Sequence, residues 1–142
     1  MNVNIQIIPH EQQRYTTVGD WFIDANGDLQ IRVSKLSDPR MEHLIAVHEY
    51  VEFLMCQQDG VTTEVVDKFD KEFEANRAPE NEDEPGDEPT APYVRQHCVA
   101  TGIERILAAQ LGVNWKPYEE ELGQLPEVPP KEAPPIESAP AE

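Results

Sequence analysis

The chain has 142 residues and a formal net charge of −17, the balance of 28 Asp and Glu against 11 Lys and Arg. That length predicts one domain with a modest core, and a pI near 4.4 without any Lys/Arg cluster excludes nucleic acid as a ligand. No apolar run approaches the roughly 18 residues of a membrane span, and the N-terminus lacks the basic-then-apolar order of a signal peptide, so no membrane is expected and the location reads as cytoplasmic.

Asn4 to Ile8 is a short extended run stopped by Pro9. Val18 to Asp24 and Leu29 to Leu36 flank the turn signal Asp24-Ala25-Asn26-Gly27-Asp28, which predicts a hairpin. In its second arm Leu29, Ile31 and Val33 alternate with Gln30, Arg32 and Ser34, one face for the core and one for water. Ser37 or Asp38 as N-cap and Pro39 at the first helical position open a helix that Gly60 ends. Thr62 or Thr63 caps a second helix to about Ala75, with Val65, Val66, Phe69 and Phe73 at helical spacing.

Residues 76–92 form a Pro-rich acidic loop, in its plainest reading a solvated connector, although Asp83, Glu84, Asp87 and Glu88 offer oxygen ligands to a cation. A third helix follows from about Tyr93 to Leu111, opened by Pro92 and closed by Gly112. The chain ends in a Pro-rich tail, 123–142, too poor in apolar residues to offset its ordering entropy and therefore expected to be disordered. Cys56 and Cys98 each fall on a predicted helix, form no disulfide framework, and read as small apolar residues.

The chemistry is concentrated in His48-Glu49-Tyr50-Val51-Glu52. At 100° per residue Met41, Leu44, Ile45, Val51 and Met55 share one helix face, and His48 and Glu52 fall at its centre. A carboxylate aimed at a core needs a positive partner, a proton or a metal. The third helix repeats the anomaly, because His97 and Glu104 lie inside the stripe of Tyr93, Ala100, Leu107 and Leu111. Two helices each presenting His and Glu inward point to a shared metal site with His48, Glu52, His97 and Glu104 as candidate ligands. Glu104 serves either as a fourth ligand or as the acceptor that orients a ligand histidine. The metal-free alternative pairs His48 with Glu104, or His97 with Glu52, as imidazolium–carboxylate contacts. Tyr93, one turn before His97, either packs its ring or donates to a developing oxyanion.

A hairpin leading into a helix with His48-Glu49-x-x-Glu52 resembles the zincin metallopeptidases, whose motif is His-Glu-x-x-His with a later third ligand. The departure is Glu52 in place of the second His. With His97 as third ligand the set is two His and one Glu, and the resemblance implies zinc, a peptide or protein substrate, and Glu49 as the general base. It also implies an extended substrate held at a sheet edge, here expected along Gln30 to Ser34. Val47-His48-Glu49, Asp83-Glu84-Pro85-Gly86-Asp87, Ala91-Pro92-Tyr93 and Gly102-Ile103-Glu104-Arg105 before Leu111-Gly112-Val113-Asn114-Trp115 are also similar to small proteins of bacteriophages and their hosts, a likeness that brings no activity with it.

Two other classes remain open. Glu49-x-x-Glu52 with Glu64-x-x-Asp67 resembles the four-carboxylate magnesium site of the all-helical MazG-like nucleotide pyrophosphohydrolases, which leaves both histidines unused. The charge alone suggests an acidic interaction protein of phage origin without catalysis. The reading that uses most of the residues is an α+β domain over 1–122: a small N-terminal antiparallel hairpin or three-stranded sheet packed on three helices and carrying a zinc-dependent hydrolase site.

Overall fold

The Asn26-Gly27 turn reverses the chain with Gly27 at φ 80°, and pairs β2 (Gly19–Ile23) antiparallel with β3 (Leu29–Ser34). The computed structural model describes residues 1–131. β1 (Val3–Ile8) returns on the other side of β3 and runs parallel to it, so the sheet order is β1-β3-β2. Asp38 caps α1 (Pro39–Asp59), its side chain accepting from the Arg40 amide at 2.9 Å, and Gly60 ends it in the left-handed region. Thr62 caps α2 (Thr63–Ala75) in the same way. After the acidic segment, which contains a 3-10 turn at Pro85–Asp87, come α3 (Val94–Gln110) and α4 (Trp115–Gly123).

The result is an α+β fold, a mixed three-stranded sheet with four helices. Leu29, Ile31 and Val33 are fully buried under α1, where they meet Leu44, Ile45, Phe53 and Cys56. α3 lies antiparallel beside α1, because His48 meets Glu104 while Asp59 accepts from Gln96 at 2.7 Å. Residues buried between these two helices are therefore polar as well as apolar. No helix among the described residues is long and apolar enough to cross a membrane.

Three expectations are corrected. β3 has no free edge, since β1 and β2 occupy both sides of it, so Gln30 to Ser34 cannot take up an added strand. A fourth helix follows Gly112, and its Tyr118 is fully buried. The tail is not free from residue 123 onward. Val128 is buried, its amide donates to Thr16 Oγ1 at 2.9 Å, and the Lys131 amide donates to the Arg14 carbonyl at 2.9 Å. His10 donates from Nε2 to the Pro126 carbonyl at 2.7 Å while its Nδ1 meets Ser34 Oγ. One inserted valine and these backbone partners supply what the tail's composition lacks. The remainder of the predicted disordered tail, 132–142, lies outside the described residues.

Candidate metal centre

Helical spacing puts His48 and Glu52 one turn apart on the buried face of α1, and α3 brings His97 against them. The three side chains converge on one point. His48 Nε2 lies 3.3 Å from Glu52 Oε2 and 3.2 Å from His97 Nδ1, and His97 Nδ1 lies 3.0 Å from Glu52 Oε2. Ligands held about 2.0–2.1 Å from a tetrahedral zinc are roughly 3.3 Å from one another, so this triangle has the size such an ion requires.

The outer partners decide which atoms face inward. His48 Nδ1 sits 2.7 Å from Glu104 Oε1, and Glu104 Oε2 accepts from the Tyr118 hydroxyl at 2.6 Å. His97 Nε2 meets Glu84 Oε2 at 3.1 Å and Asp87 Oδ1 at 3.4 Å. Carboxylates only accept, so these outer nitrogens carry the protons. In their neutral forms both rings then aim lone pairs at each other and at the Glu52 carboxylate. Three buried lone pairs facing one point are repulsive unless a cation or additional protons sit among them.

In the metal-free protein, protons fill that role. Burial works against charge on His48, yet the Glu104 and Glu52 carboxylates lift it well above the usual histidine range. For His97 burial is again outweighed, here by Glu52 and Glu84, and it rises to about 10. Glu52 is held near 2 by the two imidazoles despite its burial. A metal arriving at this triangle would displace those protons.

Trp21 of β2 donates from Nε1 to Glu52 Oε1 at 3.0 Å, which leaves Oε2 for the triangle. Glu49 is buried against Gly19, where any Cβ would lie 2.7 Å from Glu49 Oε1, so only glycine lets β2 come this close. Among the described residues the Glu49 carboxyl takes no hydrogen bond, and burial together with the neighbouring Glu52 charge pushes its pKa well above the usual range. Glu49 and the triangle line a cleft of about 570 Å³ that Asp20, Glu84 and Asp87 also border.

Of the four ligands expected from sequence, three meet and one does not. Glu104 stands behind His48, on the nitrogen that points away from the triangle, and orients that ring. The acidic segment is more than a connector. Gly86 comes so close to the His97 ring that a Cβ would lie 2.4 Å from its Cγ, and the flanking Glu84 and Asp87 reach its far nitrogen. Asp83 and Glu88 join neither metal-competent cluster among the described residues. The Tyr93 hydroxyl donates to Asp70 and is committed there. Cys56 is fully buried with its thiol pushed up to about 12 by burial, and Cys98 is exposed. Asp67 is taken by Arg14 at 2.8 Å and Glu64 is exposed, so the four carboxylates of the pyrophosphohydrolase alternative are not gathered.

Trp21, Tyr118 and Gly86 are the site residues that sequence reasoning missed. Trp21 reaches Glu52 from β2, and Tyr118 lies on α4, a helix beyond the three that the sequence predicts. The triplet Trp115, Tyr118 and Leu122, at helical spacing after Asn114, was the available signal for α4. No protein-family model matches the chain, and no curated protein or solved structure shows significant similarity to it.

Proposed function

We propose that the chain holds one zinc ion through His48 Nε2, His97 Nδ1 and a Glu52 oxygen, and uses it for hydrolysis in the manner of a metallopeptidase. The observation that carries this is the convergence of three buried lone pairs at tetrahedral spacing, each ring fixed by a carboxylate on its far side. Two nitrogens and one carboxylate suit zinc better than magnesium, and three protein ligands leave a position open toward the cleft. Zinc would supply a Lewis acid and a bound water of lowered pKa.

The chain's own residues divide the rest of the work. Glu49 borders the same cleft without a hydrogen-bond partner and is the residue to accept the proton of the attacking water. An extended substrate has an edge available on β2 rather than β3. Ser34 N–H donates to the Val18 carbonyl and Asp24 N–H to the Asp28 carbonyl, so the alternation of the ladder turns the Gly19 N–H and both backbone groups of Trp21 away from β3, while the Gly19 carbonyl accepts from the Thr17 hydroxyl.

A second reading has its own observation. The His48–Glu104 and His97–Glu52 contacts are those of a metal-free polar core that holds α1 and α3 in register. Elemental analysis separates the two. About one zinc per wild-type chain, lost in His48→Ala, Glu52→Ala and His97→Ala, supports the metal centre; a wild-type protein that cannot be loaded sinks it. Glu49→Gln should keep metal and fold while turnover on peptide substrates falls by at least about a hundredfold. Loss of metal in that variant would make Glu49 a ligand instead.

A further inference from the structure

β1 is an edge strand of unusual chemistry. Val3, Ile5 and Ile7 are 42%, 53% and 40% exposed, and Met1 before them is 67% exposed. Register places the three beside Leu29, Ile31 and Val33, on the face that α1 covers over β2 and β3 but leaves open over β1. The other face of β1 carries the polar Asn4 and Gln6.

The backbone is open at the same residues. Leu29 N–H donates to the Asn2 carbonyl and Lys35 N–H to the Ile8 carbonyl, so in this parallel pair Asn2, Asn4, Gln6 and Ile8 turn their groups toward β3. Val3, Ile5 and Ile7 therefore present N–H and C=O outward, and no partner meets them among the described residues. Natural edge strands are ordinarily guarded by lysine, proline or a bulge. From Met1 to Pro9 this chain has no charged side chain, in a protein of net charge −17.

We propose that β1 is a homodimer interface in which two copies pair antiparallel about a twofold axis at Ile5. The strand is self-complementary in that arrangement. Ile5 faces its own mate and Val3 faces Ile7 of the second copy, and the outward N–H and C=O of all three residues are satisfied in both chains. Paired residues in such a ladder share a face, so the apolar side chains of both copies form one continuous strip across a six-stranded sheet. A second copy is the occupant that fits, because the uncharged edge lets two strongly acidic chains approach without opposing carboxylates. An interface this small belongs to the weak end of the range for stable complexes. Repulsion between the acidic bodies opposes it, so screening by salt strengthens it.

Sedimentation and light scattering from low to high micromolar concentration test the proposal on the full chain. The mass should rise from 16.1 kDa to twice that value, with the midpoint moving to lower concentration as salt is added. Ile5→Lys sets like charges against each other on the axis and should keep the protein single with an unchanged far-ultraviolet spectrum. Ile5→Pro removes an N–H that β3 does not use and should do the same. A wild-type chain that stays single at high concentration and high salt overturns the proposal, as does a dimer that neither variant weakens. A dimer abolished by truncation after Lys131 also overturns it, by assigning the contact to the C-terminal residues.

Discussion

Replacing Gly86 by alanine should damage the proposed metal centre without touching a proposed ligand. An ideal Cβ at this position would lie 2.4 Å from His97 Cγ, 2.5 Å from Nδ1 and 2.8 Å from Cδ2. Comfortable carbon contacts begin near 3.5 Å, so the ring and the turn must separate by about 1 Å. Gly86 is not at positive φ, so alanine brings no backbone penalty and the whole effect is this contact. Metal ligands tolerate distance errors of about 0.2 Å, several times less than the required shift. Overpacking of this kind costs about 1–3 kcal/mol, which corresponds to a loss of affinity of roughly 5-fold to 150-fold if the strain falls on His97.

The assay is a competition titration with a chromogenic zinc chelator, run beside a thermal melt of the metal-free protein. Gly102→Ala is the matched control. It sits on the same helix as His97 with nothing within 4 Å of its Cβ, and it should gain about 0.5–1 kcal/mol of stability while leaving affinity unchanged. Wild-type affinity in Gly86→Ala would show that the acidic turn yields instead of the histidine, and the argument that this segment positions His97 would fall.

Glu104→Ala should fold and still bind metal, but about 10–100-fold more weakly, because His48 loses the partner that fixes its ring; a loss as complete as in His48→Ala would mean that Glu104 ligates directly. Asp70 is raised from 3.8 to about 7, first by burial and then by the charge of Glu52, against the two tyrosine hydroxyls that donate to it. The folded state therefore favours the protonated acid, and the stability it contributes is whole below the unfolded pKa and is lost as pH rises to about 7, on the order of 4 kcal/mol in all. Chemical denaturation of wild type and Asp70→Asn should show the variant gaining on wild type across that window, and parallel pH profiles would refute the assignment. Truncation after Gln124 removes buried Val128, worth on the order of 2 kcal/mol before the released chain entropy is subtracted, so the melting temperature should fall by a few degrees; an unchanged melt would mean that the docked segment adds nothing.

Local signals in the sequence determined most of the elements and their ends, α4 being the exception. The Asn26-Gly27 turn, the Asp38-Pro39 start and Gly60 stop of α1, and the Thr62 cap of α2 each depend on the backbone needs of a few adjacent residues, which a sequence displays directly. The polar interruptions at His48, Glu52 and His97 were legible for a related reason. Helical periodicity fixes which residues share a face, and a charge inside an apolar stripe requires compensation wherever the helix packs. What the sequence left open were questions about partners distant in the chain. Glu104 has the same position in its stripe whether it ligates or orients His48, and only the stagger of α3 against α1, with Tyr118 behind it, puts it on the outer nitrogen. β3 looked like a half-exposed hairpin arm because nothing local records that β1 returns to pair beside it. Gly86 and Trp21 acquire their contacts with His97 and Glu52 from packing between elements. Local rules fix conformations and faces, whereas register between elements is set by the packing of the whole core.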